Sequence, residues 1–311
     1  MNIDFHYHAT YLIAVKAGYL PAEAAIIATS SQMVDDNVNE YRLNEGSDVE
    51  YHNYISQTID ILKPKKKLLR IYPLFHFIPG DCYSESSRRK DGKLHLLNTT
   101  PNNSNALTLL RQAKSTNCLY KLGIACHVYA DTWAHANFVG YYEAFNSMSG
   151  MLEAVTPDIG HADAKTIPDE IGAVWKDPRL MNEERDNNNL FLEASQYMFY
   201  ELGGKEEDLS ELLFHLNAAF NVQEIDDRIR YMKQLSTMPG YKGVKMPEYS
   251  DKLWFCRATV SRGWFFHSYE RGESFEDSDW FKFQESIKWF QNSAWDLLKD
   301  SVFSKMDLKE L

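Results

Sequence analysis

The chain of 311 residues is long enough for one large hydrophobic core or two smaller ones, and 44% of its residues are hydrophobic. Its formal net charge of −11 argues against binding to double-stranded nucleic acid, which favours a basic surface. The sequence contains no run of about 18 or more apolar residues, so no membrane-spanning helix is predicted. Its first residues do not resemble a secretory signal peptide. The four cysteines lack CxxC spacing, so we expect reduced thiols in a cytoplasmic protein.

Helices are predicted for the beginning of the chain. Residues 5–18 have the pattern of a buried helix, and the next helix ends in two acidic residues, Asp35 and Asp36, after a strongly apolar run. The apolar segment 69–80 contains two prolines. We therefore expect it to be extended and tightly packed, with His76 pointing inward.

The helix predicted at 117–139 carries three polar residues at intervals of four: His127, Asp131 and His135. A helix turns about 100° per residue, so these side chains share one face, while the neighbouring residues are mostly apolar. Buried polar groups need partners, and either a metal ion or a core hydrogen-bond network supplies them. The regular spacing of two imidazoles and a carboxylate favours the metal.

A long loop is predicted at 155–180, and it contains His161 and Asp163. Long loops in compact domains are often functional. The rest of the chain is predicted to be helical over residues 182–203, 206–219, 222–236, 250–270 and 278–301. The simplest interpretation is one all-α domain spanning 1–311, with a metal-binding part at 1–175 and a packed-on helical subdomain at 205–311.

The histidines are concentrated in the N-terminal half, where eight of the ten lie within the first 161 residues. Imidazole and carboxylate ligands together suit zinc, and a catalytic zinc keeps one coordination position open. A bound dication also lowers the pKa of its water and so provides a nucleophile near neutral pH. The composition of this half therefore indicates a hydrolytic metal site.

Four segments resemble, in order, motifs of the zinc-dependent phospholipase C and single-strand nuclease superfamily. They are His8-Ala-Thr-Tyr-Leu-Ile-Ala, Gln32-Met-Val-Asp-Asp, Phe75-His76-Phe77, and His127-x3-Asp131 followed by His135-Ala-Asn-Phe. The resemblance covers about residues 1–170, and the chain is also similar to uncharacterised bacterial relatives that open with Asp-Phe-His-Tyr. It implies an all-α helical bundle with additional C-terminal helices and two or three zinc ions.

The resemblance also implies a ligand set for each metal. One metal would be held by Asp35 or Asp36 together with His76, His127 and Asp131. A second would be held by His135 and His161, and a third by His8 and His6 with Asp131 as a shared, bridging ligand.

Three features depart from the superfamily pattern, and two of them leave alternatives open. The superfamily separates the central Asp from the following ligand His by six residues, whereas Asp131 and His135 are four apart. An acid follows the last ligand histidine by four residues in the superfamily, where this chain has Lys165, so Asp163 or Asp169 would replace it. The superfamily also uses the amine of an N-terminal Trp. Here either Met1 supplies those atoms, or Asp4 and His6 replace them, or that metal is absent.

The function implied by the resemblance is that of a metal-dependent phosphoesterase. The substrate class would be a phospholipid, a nucleotide or a small phosphodiester. The catalytic residues would be Asp131 and the pair Asp35 and Asp36, of which the member that does not bind metal would be the general base. The alternative is a metal-stabilised binding or effector protein without turnover.

Overall fold

Ten α-helices carry most of the regular structure in the residues that the computed structural model describes, 1–60, 62–148, 159–262 and 268–306. They are α1 (Thr10–Lys16), α2 (Pro21–Asp36), α3 (Lys65–Leu69), α4 (Ser104–Ser115), α5 (Leu119–Ala134), α6 (Asn187–Leu202), α7 (Glu206–Phe220), α8 (Ile225–Ser236), α9 (Leu253–Ala258) and α10 (Asp279–Leu298). No helix in these ranges combines the length and the apolar composition that crossing a bilayer requires.

Two β-sheets make the fold mixed α/β, so the prediction of an all-α domain is wrong. The larger sheet contains β1 (Arg42–Leu43), β2 (Tyr51–His52), β5 (Thr259–Arg262) and β6 (Ser268–Arg271), in the order β2-β1-β6-β5. The smaller one pairs β3 (Val174–Lys176) with β4 (Glu184–Asp186) in antiparallel orientation. In the larger sheet β1 and β6 are parallel, and the other two pairs are antiparallel.

The strands were missed because each is only two to four residues long, too short to show an alternating pattern, and because one of the pairings joins distant segments. Leu43 pairs with Tyr269, so no local pattern shows that either segment belongs to a sheet. The helix predicted at 250–270 ends at Ala258, because Thr259 and the β-branched Val260 pair with β6 instead.

The central helix α5 packs against α2, α4, α6 and α10, and its residues from Leu122 onward are buried. Gly123 makes the contact with α2 close: a Cβ there would lie 2.3 Å from the carbonyl oxygen of Ile27. One hydrophobic cluster runs from the N-terminal residues to α10. The predicted metal-binding part and C-terminal part therefore share a core.

Two π-helical turns interrupt the α-helical pattern, and each carries a histidine of the predicted site. The turn Asp4–Ala9 leads directly into α1 and contains His6. The turn Tyr72–His76 replaces the extended conformation expected at 69–80. Pro73 lies at the start of this second turn, where its missing N–H breaks no helical hydrogen bond. Single π-turns are frequent at functional sites.

Candidate metal centre

The polar stripe of α5 forms the middle of a cluster of histidines and carboxylates. His127 and Asp131 lie on the helix and are fully buried, and His135 lies one residue beyond its end. The backbone N–H of His135 still donates to the carbonyl oxygen of Asp131, 2.8 Å away, which keeps His135 on the same side as the other two.

The first set of donor atoms, the inner group, comprises Asp35, His76, His127 and Asp131. Asp131 Oδ2 lies 3.1 Å from His127 Nε2 and 3.4 Å from His76 Nδ1, and these two nitrogens are 3.2 Å apart. Asp35 Oδ1 is 3.7 Å from His76 Nδ1 and 3.8 Å from His127 Nε2. The ligands of a tetrahedral zinc are separated by roughly 3.3 Å, given its bond lengths. The five distances between these atoms, 3.1 to 3.8 Å, therefore suit ligands of one cation.

The second set, the N-terminal group, comprises Met1, His6 and Asp131. The α-amine of Met1 is 2.8 Å from Asp131 Oδ1, and His6 Nε2 is 3.1 Å from the same oxygen. The rings of His6 and His127 stack at 3.9 Å. Asp131 thus directs one oxygen to each group, as a bridging carboxylate does.

The third set, the cleft group, comprises His135, His161 and Asp169. His135 Nε2 lies 2.9 Å from Asp169 Oδ1, and His161 Nε2 lies 3.1 Å from Asp169 Oδ2. The amine of Met1 is 3.0 Å from Asp169 Oδ1 and so connects this group to the N-terminal one. A zinc held by three protein ligands keeps a position for water or substrate.

Backbone carbonyls fix the orientation of three of the imidazoles. His76 Nε2 donates to the carbonyl oxygen of Ser56 at 2.9 Å, and His135 Nδ1 donates to that of His76 at 2.7 Å. His161 Nδ1 donates to the carbonyl oxygen of Lys165 at 2.6 Å. Because a carbonyl only accepts, the proton lies on that side of each ring and the lone pair of the other nitrogen faces the cluster. Metal-binding histidines show this arrangement.

The protonation states of His6, Asp131 and Asp169 suit metal binding. Those of Met1 and His161 do not: the Met1 amine is held as an ammonium, and the pKa of His161, which burial lowers, is raised by Asp169 above its usual value. Both groups would lose a proton on binding a metal. Burial, with the charges of His127 and the Met1 amine, lowers the pKa of His6 to about 3, so this imidazole is neutral. Burial raises the pKa of Asp131 and of Asp169, but the nearby amine and histidines hold both well below the usual range. Burial likewise opposes the charge on the Met1 amine, yet the carboxylates around it raise its pKa to about 11.

The charge balance provides a test of whether a cation fits. Three carboxylates, those of Asp35, Asp131 and Asp169, face the cluster, and the Met1 ammonium is the cationic group within salt-bridge distance of two of them. Buried negative charge requires compensation. Divalent cations supply it, and the donor set of imidazole and carboxylate fits zinc.

Three residues predicted for the site lie outside these groups. His8 Nδ1 donates to the carbonyl oxygen of Ile3 at 3.2 Å. Asp36 accepts a hydrogen bond from Tyr249 at 2.5 Å, and Asp163 accepts one from the backbone N–H of Met148. The structure therefore brings Asp35 rather than Asp36 to the cluster, and Asp169 rather than Asp163.

The alternative in which Asp4 completes the N-terminal group is also not what the structure shows. Asp4 is fully buried and forms an ion pair with Arg228 of α8. The sequence pattern gave no signal for this pair, because its members lie on distant segments. The amine of Met1 occupies the place beside Asp131 instead.

A cleft of about 370 Å³ reaches the cluster from outside. Its walls include Asp35, His135, His161 and Asp169, with the aromatic rings of Tyr72 and Phe77 among the neighbouring residues. The ring of Phe77 stacks on His135 at 4.4 Å. A small molecule can therefore reach the donor atoms of the cleft group.

The chain belongs to the DUF6765 family. The sequence model of this family of unknown function matches residues 1–298. No curated protein and no solved structure matches the chain. Any assignment of function therefore depends on the chemistry of the candidate metal centre.

Proposed function

We propose that the protein is a metal-dependent phosphoesterase that hydrolyses a phosphodiester or phospholipid at this centre. The observation that carries the proposal is the cluster of three donor groups around Asp131, open to a cleft. When bound, zinc ions supply positive charge for phosphate oxygens and a water of lowered pKa. Phosphoryl transfer depends mainly on such charge and on positioning.

The residues of the chain have distinct tasks in this proposal. The inner and N-terminal groups share Asp131, which would be the ligand common to two cations. Asp35 lines the cleft; in this proposal its Oδ1 would bind the metal of the inner group, and its second oxygen, Oδ2, would accept a proton from the attacking water. Asp36 is hydrogen-bonded to Tyr249 and Gln32, so the role of general base is not proposed for it.

The test combines metal analysis with activity. Protein purified without added metal is expected to contain about three zinc ions per chain, since the described residues form three donor groups. It should hydrolyse at least one of three probes: phosphatidylcholine, a single-stranded oligonucleotide or bis(p-nitrophenyl) phosphate. A chelator should abolish that activity and added zinc should restore it. Hydrolysis that continues at the same rate in the presence of the chelator, or a metal content below one per chain, would contradict the proposal.

A metal-stabilised binding protein without turnover is the second candidate. It is favoured by the inner group, whose four side chains match the number of ligands in a structural zinc site. X-ray absorption spectroscopy of the zinc-loaded protein separates the two candidates. Four protein ligands at every metal, with no water, would support the binding protein, whereas a metal with only three protein ligands supports the enzyme.

A further inference from the structure

Two aliphatic side chains beside the candidate metal centre are almost completely exposed. Ile59 is 94% exposed and Leu62 is 91% exposed, more than any other large hydrophobic side chain in the described part of the chain. A single exposed apolar residue is ordinary. Here two of them lie three positions apart, on either side of the exposed Asp60.

The same surface is basic, although the whole protein is acidic. Residues 63–70 contain five cationic side chains and no acid, in a chain of net charge −11. Lys63 and Lys67 form ion pairs with Glu40. Lys66 is exposed and Arg70 is partly exposed, and neither has an ion-pair partner among the described residues. The charge of these two side chains is therefore available to an external anion.

The basic region extends to a neighbouring helix. Arg70 and Tyr54 line a second cleft of about 230 Å³. Lys288 of α10 lies 5.7 Å from the centre of the Tyr54 ring, and its side chain is exposed. Arg70 and Lys288 thus place positive charge beside Tyr54 on two different elements.

This surface adjoins the opening of the cleft at the metal centre. The carbonyl oxygen of Ser56 orients His76, and the next residue, Gln57, lines the cleft. Tyr72, which also lines the cleft, donates a hydrogen bond to the carbonyl oxygen of Thr58. A partner bound at Ile59 would therefore lie next to the entrance of the cleft.

We propose that Ile59, Leu62, Lys66 and Arg70, here called the docking patch, bind the surface of an anionic lipid bilayer. Aliphatic side chains enter the boundary between headgroups and acyl chains, while adjacent lysine and arginine side chains attract anionic headgroups. Single-stranded nucleic acid would also attract the basic residues, but its bases stack on aromatic side chains. The most exposed residues of the patch are aliphatic, which favours the bilayer.

The test measures binding without requiring catalysis. Purified full-length protein is sedimented with vesicles of phosphatidylcholine alone or of an equimolar mixture with phosphatidylserine. We expect binding to the anionic vesicles that weakens with added salt. The variant Ile59→Ser/Leu62→Ser should bind at least about tenfold more weakly, because it loses apolar burial in the bilayer. Lys66→Gln/Arg70→Gln should lose roughly tenfold at low salt, since each cation contributes to attraction.

Matched controls separate the patch from general effects of hydrophobicity and charge. Phe214→Ser removes another exposed apolar side chain, and Lys205→Gln/Arg230→Gln removes two exposed cations elsewhere. Both controls should bind vesicles as the unchanged protein does. Absence of vesicle binding, equal loss in patch and control variants, or competition by a single-stranded oligonucleotide would overturn the proposal. Metal content is measured in every variant, so failure of the phosphoesterase proposal would be seen separately.

Discussion

The inner group and the cleft group use the same two kinds of ligand but differ in what holds them. His127 and Asp131 of the inner group are 0% and 1% exposed and lie on the central helix. His161 and Asp169 of the cleft group are 18% and 16% exposed and lie between 159 and 173, where the regular structure consists of short 3₁₀ turns. Backbone geometry fixes the first pair, whereas the second pair depends on individual hydrogen bonds.

Asn187, the first residue of α6, makes the most important of these bonds. Its Nδ2 donates to the carbonyl oxygens of Ile167 and Glu170, at 2.8 Å in both cases. Its Oδ1 accepts a hydrogen bond from Trp175 Nε1 at 3.1 Å. These contacts enclose Asp169. The cleft group should therefore be the easier of the two to lose.

The largest effect is expected for Asp131→Asn, which removes the carboxylate shared by the inner and N-terminal groups. We expect the metal content to fall from about three ions per chain to about one, because the cleft group does not contain Asp131. Activity should fall by about 10³-fold or more, since a catalytic metal contributes several kcal/mol to transition-state stabilisation. Inductively coupled plasma mass spectrometry and the phosphodiesterase assay measure the two quantities.

Asp36→Asn is the control for that variant, because it changes a neighbouring acid that lies outside the three groups. It should keep its metal. Circular dichroism of both variants shows whether the fold survives. Unchanged metal content in Asp131→Asn would contradict the assignment of Asp131 as a bridging ligand.

The sequence predicted the part of the site that lies on one helix. The spacing of His127, Asp131 and His135 depends only on helical geometry, which α5 provides as far as Ala134. The choice between Asp35 and Asp36 could not be made in this way, because they differ only in the direction in which each leaves the end of α2.

The remaining ligands depend on how irregular segments fold. Asp169 follows His161 by eight residues, and Lys165 between them has a positive φ of 56°, which redirects the backbone. From the sequence alone, Asp163 is as good a candidate as Asp169 for the carboxylate ligand of the cleft group. The position of the Met1 amine depends on tertiary packing, as does the pairing of β1 with β6, and neither produces a local periodicity.

The second prediction separates the two groups by single substitutions. His161→Ala should lose about one metal per chain, while His127→Ala should affect both the inner group and the packing of His6 against it. We therefore expect His127→Ala to lose more metal and more thermal stability, because bound metal stabilises the folded state. Metal analysis with differential scanning calorimetry decides this. Equal losses in the two variants would show that the groups bind metal as one unit.

A smaller effect is expected for Asn187→Ala, which changes no ligand. Removing such a supporting residue typically lowers metal affinity by 10–100-fold. Here the loss should be confined to the metal of the cleft group. Competition with a chromophoric chelator measures that affinity. Asn189→Ala is the matched control, because Asn189 lies on the same helix and bonds Asp186 rather than the loop. Equal affinities in both variants would show that Asn187 does not position Asp169.

The smallest effect is expected for Gly160→Ala, which acts on the cleft group through Phe77. Gly160 has a positive φ of 56°, and a Cβ there would lie 2.5 Å from the ring of Phe77, which stacks on His135. Gly243→Ala imposes a similar backbone cost at a φ of 67°, where the nearest atom is 3.9 Å away. Both variants should lose about 1 kcal/mol of unfolding free energy to backbone strain.

The difference between these two glycine variants isolates the effect of the displaced ring. Gly160→Ala alone should weaken the cleft metal by a few-fold, because moving Phe77 changes the orientation of the His135 imidazole that stacks on it. The affinities of the inner and N-terminal metals should stay the same in both proteins. If Gly243→Ala weakened the cleft metal as much, general destabilisation rather than the Phe77 contact would explain the loss, and the cleft group would depend on its loop alone.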